Sequence, residues 1–452
     1  MMFSLTDLCF GVIFKEFERF YLAFTESNNE TLQRNLEFLQ RKYSSELASV
    51  LFKTGELKGK YLKFLLNAHL RWLDLEWLEV SPNRKPMKDI LRQLPNLEKI
   101  FCVKTDDNIL KNVAKYCPKM VAIVASSSSV TDYGIKCLCR NKNGKIPCPD
   151  LKTLDIPSLK VTDEGVKLLI KSLPSLERIH YLHIPQILYS LHKADLHNLE
   201  KLPRYNLVVL EFFGVSDLPY YTDLLKICLT LCPRLNSIRL YVTDTEQLNL
   251  CSNVSLEDLD LNLTKVIPKI TINDFLKAHG SKLVSLKISN CVMSVNVLAT
   301  SCPKLKYLYM DDITFVGHFD SQTIFPCLTE CVFRLIKNDV STNTAMSLLL
   351  SSSPNLERLE FNWCFISLFA GNRLFECCEN NNFLKSITFC FTTVEIDLLV
   401  CILLSLPSLK DLNLCDCDYS PDDLKELAEF AETLPNKPDI SIDKVNNNND
   451  YE

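Results

Sequence analysis

Glycine is scarce in this sequence, and the motifs that depend on glycine are missing with it. Only ten glycines occur among 452 residues, and there is neither a glycine-rich phosphate loop nor a Gly-x-Ser-x-Gly nucleophile elbow. No catalytic cysteine motif is found either. The sequence therefore predicts a protein that binds other molecules rather than an enzyme, and it implies no cofactor.

Excess basic charge and long apolar runs are lacking as well. The formal net charge is -5, so general binding to nucleic acid or to an anionic membrane surface is not expected. No apolar run approaches the roughly 18 residues of a membrane-spanning helix. Asp7 interrupts the short apolar stretch near the N-terminus, which no basic region precedes, so a signal peptide is not expected.

Cysteine is abundant, but it is not arranged as a disulfide framework. The 20 cysteines are scattered, and many stand where a repeat would place a small apolar residue. This usage favours free thiols in a reducing compartment, hence the cytoplasm or the nucleus. Four histidines also fall close together, at His180, His183, His192 and His197, but their spacing fits no zinc pattern, so we expect no metal site.

A short phrase recurs along most of the chain. It has the form Leu/Cys-Pro-x-Leu-x-x-Leu, and the distance between copies centres on about 25 residues, which is typical of leucine-rich repeats. Clear copies begin at Leu94, Cys117, Cys148, Leu173, Cys232, Cys302, Ser353 and Leu406.

Each copy predicts a strand followed by a returning helix. The proline ends the preceding helix, and the alternating leucines point inward while the residues between them face outward. The chain is thus predicted to be an α/β leucine-rich-repeat solenoid, a horseshoe with a parallel sheet on its concave face and helices on its convex face. We expect this solenoid to span residues 59–434 and a disordered polar tail to occupy residues 435–452.

Two repeats share a second motif. Val130–Leu138 and Val161–Leu169 both contain Thr-Asp-x-Gly, in which the threonine or aspartate is suited to cap a helix and the glycine lies in its first turn. Repeats that combine Cys-Pro with Thr-Asp-x-Gly resemble the cysteine-containing repeats common in ubiquitin-ligase receptors.

Residues 1–58 precede the repeats and are predicted to form a separate N-terminal helical module. Ser4 is a suitable N-cap, and the apolar residues after it are spaced as on one face of a helix. That face comprises Leu5, Leu8, Cys9, Val12 and Ile13. The spacing predicts a helix that docks on a partner or, alternatively, one that caps the chain's own core.

Residues 4–13 fit the pattern Ser/Thr/Ala/Pro-Leu-x-x-x-Cys-x-x-x-aliphatic and resemble the BC-box. In families that carry this box, the helix enters a groove on Elongin C and joins a substrate receptor to a cullin-RING ubiquitin ligase. With its repeats, the whole chain resembles the Zyg-eleven-like receptors of cullin-2 ligases, without their C-terminal armadillo-like domain. The resemblance implies three partners: Elongin C with Elongin B, a cullin-2-type cullin, and a protein substrate.

The same family selects its cullin with a second short helix. The nearest counterpart here is residues 43–53, in which Leu47 and Leu51 would contact the cullin. Ser44 stands where the family has a proline, so this part of the resemblance departs from the pattern.

The substrate is expected on the outward-facing side chains of the repeat strands. Tyrosine and arginine are favoured at interface hot spots, so the predicted contacts are Arg239, Tyr307, Tyr309 and Arg358. Two other functions stay open. One is a divergent F-box that binds a Skp-type adaptor, although no Leu-Pro-x-Glu opens it; the other is a leucine-rich-repeat scaffold outside any ligase.

Overall fold

The computed structural model divides the chain into two compact units, with the boundary after Val208. The structure describes residues 16–26, 30–55, 57–80, 86–140, 143–157, 159–194, 198, 201–214, 217–251, 254–263, 269–317, 324–335, 339–366 and 383–443. Within these ranges no helix is long and apolar enough to cross a membrane.

The first unit combines N-terminal helices with five short parallel strands, which lie side by side in chain order. The strands are β1 (Trp72–Asp74), β2 (Lys99–Thr105), β3 (Ala122–Ser128), β4 (Thr153–Asp155) and β5 (Arg178–Ile179). The helices are α1 (Phe17–Glu26), α2 (Glu30–Lys53), α3 (Leu62–Leu65), α4 (Met87–Leu91), α5 (Asp107–Tyr116), α6 (Asp132–Cys139), α7 (Asp163–Ser172) and α8 (Ile184–His192), with 3-10 turns at Gly59–Tyr61 and Leu75–Val80.

The N-terminal helices are continuous with the core of the first repeats. Phe17 of α1 and Leu47 and Leu51 of α2 are buried in the same cluster as Leu73 of β1. The Phe17 ring meets the Tyr61 ring edge-on, with 5.1 Å between centroids. The expectation of a separate module is therefore wrong for the described part of residues 1–58. These helices close the end of the repeat core, where an open end would expose apolar side chains.

One exposed ion-pair group fastens α1 to the segment before α3. Glu18 accepts hydrogen bonds from Lys60 Nζ at 2.5 Å and from Lys58 Nζ at 3.1 Å. The bonds from Lys60, Lys58 and Tyr61 lower the pKa of Glu18 from 4.5 to about 2. The carboxylate therefore stays charged, and keeps holding α1, well below the pH at which free glutamates become protonated.

We expect Glu18→Gln to lower the melting temperature slightly at pH 7, because the lost pairs are exposed and screened by solvent. The folded-state pKa lies below the unfolded one, so the contribution is complete above about pH 4.5 and is lost as the pH falls towards about 2. Melting curves of both proteins across that range test this. Glu16→Gln, which breaks the pair between Glu16, just before α1, and Arg19 of the helix, is the matched control; a pH-independent Glu18 effect would contradict the prediction.

The two Thr-Asp-x-Gly segments are each hydrogen-bonded to an aspartate of the preceding repeat. Asp107 accepts hydrogen bonds from Thr131 N at 2.8 Å, Thr131 Oγ1 at 2.7 Å and Gly134 N at 3.1 Å. One repeat later, Asp132 accepts bonds from Thr162 N at 2.8 Å and Thr162 Oγ1 at 2.6 Å. Both threonines also cap their own helices, as predicted. The motif therefore fixes the spacing of neighbouring helices as well as their first turns.

The second unit is built on a sheet of ten described parallel strands, ordered β19-β18-β16-β14-β13-β11-β9-β8-β7-β6, with two further short pairs, β10 with β12 and β15 with β17. The strands are β6 (Val209–Glu211), β7 (Ser237–Tyr241), β8 (Asp258–Asn262), β9 (Ser285–Ser289), β10 (Val292–Met293), β11 (Tyr307–Asp311), β12 (Thr314–Phe315), β13 (Glu330–Arg334), β14 (Arg358–Asn362), β15 (Phe365–Ile366), β16 (Ser386–Cys390), β17 (Thr393–Val394), β18 (Asp411–Cys415) and β19 (Asp439–Asp443). The helices are α9 (Tyr221–Leu231), α10 (Thr245–Leu250), α11 (Asn273–His279), α12 (Val295–Ser301), α13 (Val340–Ser351), α14 (Ile396–Ser405) and α15 (Pro421–Thr433), with a 3-10 turn at Gly280–Lys282.

Alternation along the strands gives this sheet one buried and one open face. In β7, β9, β11, β14 and β16 the second and fourth side chains are buried, and the first, third and fifth are at least partly exposed. Phe333, Phe361 and Phe389 stack in the core from successive strands, with centroids 5.4 Å and 5.5 Å apart. The predicted α/β leucine-rich-repeat fold is confirmed.

The end of the array extends further than the sequence indicated. Helix α15 begins with Ser420 as its N-cap and Pro421 in its first turn. Strand β19, at Asp439–Asp443, then pairs in parallel with β18. The prediction of a disordered polar tail from residue 435 is therefore wrong for these five residues. Ile440 and Ile442 alternate with polar residues, as is typical of a strand.

Candidate functional site

The open face of the second sheet carries all four predicted substrate contacts. Arg239 and Tyr309 are each the third residue of their strands, and Tyr307 and Arg358 are each the first. Parallel pairing in register keeps equivalent positions in rows across the sheet. Tyr307 and Arg358 lie on β11 and β14, with β13 between them. Because neighbouring strands lie about 4.8 Å apart, the Cα atoms of the two residues are separated by about 10 Å. The structure therefore brings these residues onto a single surface, which we call the open sheet face.

Arg239 is held on this face by two neighbours. Its Nε donates to Asp260 Oδ2 at 2.6 Å, and its guanidinium lies over the Phe213 ring, 4.8 Å from the centroid. Burial alone would lower the pKa of Arg239, but the bond to Asp260 raises it above its ordinary value. This arginine is a fixed cation that lies over an aromatic ring.

The two tyrosines form the centre of the open sheet face. Burial, followed by the charge of Glu330, raises the pKa of Tyr307, and burial also raises the pKa of Tyr309. Both phenols therefore keep their protons and can donate hydrogen bonds. The Lys287 ammonium lies 5.6 Å from the centroid of the Tyr307 ring. Ring surface and hydroxyl donors close together are what protein-binding hot spots offer.

Arg358 is paired as well, although its side chain is 64% exposed. Its Nη2 and Nε donate to Glu330 Oε2 at 2.6 Å and 3.0 Å, and these bonds raise its pKa. The pair leaves further guanidinium N–H groups facing solvent, where a partner can reach them. Reversing the charge of Arg358 would thus break a cross-strand pair in addition to any contact with a partner.

Sequence reasoning missed two residues of this surface, Arg334 and Asp311. Arg334 Nη1 donates to Asp311 Oδ2 at 3.2 Å, and Arg334 also forms a hydrogen bond with Tyr309. Arg334 lies in β13, whose repeat has only a weak copy of the recurring phrase, starting near Cys327. Counting outward-facing positions from that weak copy would have identified it.

The predicted adaptor contacts Leu5, Leu8, Cys9, Val12 and Ile13 lie outside the described residues. The first described residues of this segment begin at Glu16. Phe17, four residues after Ile13, is 4% exposed in the repeat core. The apolar face of the N-terminal segment thus meets the chain's own core from this residue onward.

The predicted cullin contacts are corrected by the structure. Leu47 and Leu51 are 0% and 2% exposed, so their side chains serve the chain's own core and cannot contact a partner directly. Ser44, at the position of the family's proline, donates to Gln40 O at 2.6 Å and accepts from Asn67 Nδ2 at 2.8 Å. This stretch of α2 has a structural role.

The described histidines of the group at residues 180–197 each lie next to a different side chain rather than next to one another. His180 Nδ1 lies 3.4 Å from Asp155 Oδ1, while His192 Nε2 lies 2.9 Å from Tyr205 Oη. His183 Nδ1 is 3.9 Å from Asp163 Oδ1, and His197 lies outside the described residues. In the part of the chain that the structure describes, no group of three histidine, cysteine, aspartate or glutamate side chains could hold a metal ion.

Repeated strand-and-helix units with an open, aromatic and arginine-bearing face define a leucine-rich-repeat protein with a surface suited to binding. No protein-family model matches the sequence, and no curated protein matches it. One similar solved structure is the yeast complex of Rad7 and Elc1, at 14% identity and a TM-score of 0.45, covering 97% of this chain and 98% of that one. Another is the TLR13–ssRNA13 complex, at 15% identity and a TM-score of 0.38, covering 83% of this chain and 60% of that one. These values are too low for a function to be inferred from either protein.

Proposed function

We propose that the chain is the substrate-recognition subunit of a cullin-RING ubiquitin ligase. Residues 4–13 bind Elongin C, in its pair with Elongin B, and the open sheet face holds a protein substrate. The observation that carries the binding role is the surface around Tyr307 and Tyr309, where half-buried rings and paired arginines lie together. The adaptor role is supported by the BC-box pattern of Leu5, Cys9 and Ile13.

The proposed role is non-catalytic, and its cellular setting is the cytoplasm or the nucleus. The described cysteines are free thiols, and most are buried, which suits a reducing compartment. Burial raises the pKa of buried thiols such as Cys148 to about 12, so they are poor nucleophiles. A cullin-2-type cullin remains the proposed cullin partner, with Elongin C as the bridge to it.

A second candidate function has its own support. The burial of Phe17, Leu47 and Leu51 in the repeat core favours a plain leucine-rich-repeat scaffold, in which the N-terminal segment caps the core and binds no adaptor. This alternative shares the open sheet face and differs only at the N-terminus. An experiment on residues 4–13 therefore separates the two functions.

Capture on immobilised Elongin B–C should distinguish them. We expect the wild-type chain to be retained and the double variant Leu5→Ser, Cys9→Phe to lose at least about tenfold in capture, because an anchoring side chain contributes more than 1 kcal/mol at a hot spot. Thr6→Ala, at a variable position of the pattern, is the matched control and should bind as the wild type does.

The melting temperature of each variant completes the test. If the double variant is captured as well as the wild type but melts at a lower temperature, residues 4–13 are a cap and the adaptor proposal fails. A parallel capture on a Skp-type adaptor examines the F-box alternative. If the chain were retained on the Skp-type adaptor and not on Elongin B–C, the adaptor of the proposed ligase would be the Skp-type protein.

A further inference from the structure

Among the described residues of the second unit, six strands are followed directly by a residue in the left-handed conformation. The φ angles lie between 47° and 57°. In five of them the amide of this residue donates to the last strand carbonyl of the next repeat, as from Leu335 to Asn362, from Trp363 to Cys390 and from Phe391 to Cys415, at 2.8–3.1 Å across the five. The six residues are Asn290, Asp312, Leu335, Trp363, Phe391 and Asp416.

Three of these six residues do not suit their backbone conformation. Asparagine and aspartate adopt the left-handed region most readily after glycine, whereas bulky side chains rarely do. Leu335, Trp363 and Phe391 nevertheless occupy it in successive repeats. We call this row of three side chains the apolar ladder. Strain repeated at equivalent positions points to function, because a structural role alone would be met by Asn or Asp.

Burial does not explain the composition of the apolar ladder, because two of its three side chains are exposed and the third, Phe391, is only half-buried. Leu335 is 47% exposed and Trp363 is 52% exposed. The Trp363 and Phe391 rings are stacked, with centroids 4.3 Å apart and planes 8° from parallel. The stack holds the indole in one orientation, so that a flat aromatic surface is ready for a partner without an ordering cost.

Acidic side chains dominate the strands around the ladder. The basic residues of strands β13 to β19 are Arg334 and Arg358, and each is held in an ion pair. Among the described residues no ion pair is shown for Glu360, which precedes Trp363 by three positions, or for Asp411 and Asp439, which begin their strands at the end of the sheet away from the ladder. A partner segment carrying positive charge is therefore complementary, and a nucleic-acid backbone is disfavoured.

We propose that the apolar ladder binds an extended, arginine-bearing segment of a partner protein, with a guanidinium stacked on the indole of Trp363. Tryptophan is the best aromatic partner for a cation, and arginine can stack as well as pair. The molecule uses the same combination elsewhere on this sheet, where Arg239 lies over Phe213 and is held by Asp260. The inference deepens the proposed function by naming the chemistry of the bound protein, and it does not depend on the adaptor.

Peptide binding to the full chain, without Elongin B–C, tests this inference. The probe is a fluorescein-labelled peptide of three Gly-Ser-Arg units, followed by anisotropy, with the matched lysine and glutamate peptides beside it. We expect the arginine peptide to bind tightest and Trp363→Asn to weaken it about tenfold, the upper part of the range for a cation–π contact. Acrylamide should also quench Trp363 less when the peptide is bound.

The variant is chosen so that loss of binding cannot be ascribed to unfolding. Asparagine already occupies the equivalent position at Asn290, so the melting temperature of Trp363→Asn should not fall. Phe383→Asn, at another exposed aromatic residue of this unit, is the control and should bind normally. Equal affinity of the wild type and Trp363→Asn, or tighter binding of a single-stranded oligonucleotide than of the arginine peptide, would overturn the proposal. Neither result bears on capture by Elongin B–C, so the two failures are distinguishable.

Discussion

Replacing Phe361 by alanine is expected to lower the free energy of unfolding by about 3–5 kcal/mol. Phe361 is 0% exposed and lies between Phe333 and Phe389, stacking on both. Its removal would take away the apolar burial of one ring, two aromatic contacts and the support of both neighbours. Repeats on either side pack through this ring, so the cavity cannot close without moving two strands.

Urea unfolding, followed by circular dichroism, measures this loss. Phe383→Ala is the matched control, because Phe383 belongs to the same unit but is 51% exposed; it should change the free energy of unfolding by no more than about 0.5 kcal/mol. A Phe361→Ala variant as stable as the control would show that the phenylalanine stack contributes nothing to the core.

Replacing Gly165 by alanine should destabilise the chain by about 2–3 kcal/mol, although alanine is the better helix former by about 1 kcal/mol. A Cβ at this position would collide with the Asp132 carboxylate and press on Val161. Relief requires Asp132 to move, and that movement would break its two hydrogen bonds from Thr162. The sign of the effect is thus opposite to that of an ordinary glycine in a helix.

A double-mutant cycle with Asp132→Ala isolates the cause. If the collision with the carboxylate is responsible, the double variant should be at least as stable as Asp132→Ala alone, because alanine then keeps only its advantage as a helix former. Lys171→Ala, at an exposed position of the same helix, provides the control and should be neutral within about 0.5 kcal/mol. Additive losses, or a stabilised Gly165→Ala, would show that the contact between these repeats is not tight.

The recurring phrase predicted the repeat fold because it combines two constraints in seven residues. The proline ends one helix, and the spaced leucines set a strand whose inward face is apolar. The same counting placed Arg239, Tyr307, Tyr309 and Arg358 on the open sheet face. The Thr-Asp-x-Gly motif likewise located the caps at Thr131 and Thr162, since capping depends on local hydrogen bonds within four residues.

Contacts between distant residues were beyond such counting. An amphipathic helix has the same pattern whether it covers its own core or another protein, so the burial of Leu47 and Leu51 was not foreseen. Strand β19 was not predicted because a segment of only five residues, alternately polar and apolar, becomes a strand only by pairing with the edge strand β18. The ion pairs of Arg239 and Arg358 depend on residues more than 20 positions away.

The left-handed backbone conformation of the apolar ladder could not be predicted from the sequence either. Leucine, tryptophan and phenylalanine carry no preference for that conformation, and in a repeat they suggest core positions. Only the regular hydrogen bonds from one repeat to the next force the backbone into it. Here the geometry of the array overrides the preference of the residue.

The cysteines of the Cys-Pro phrases can reveal local opening of their own repeats, because each is a buried thiol that can be alkylated only when it becomes exposed. Cys117, Cys148, Cys232 and Cys302 are at most 1% exposed, and burial raises the pKa of each thiol to about 12. Alkylating reagents react with the thiolate, so these cysteines remain unlabelled while the neighbouring repeats pack against them. The order in which they become labelled would show where along the chain local opening begins, with no probe added to the protein.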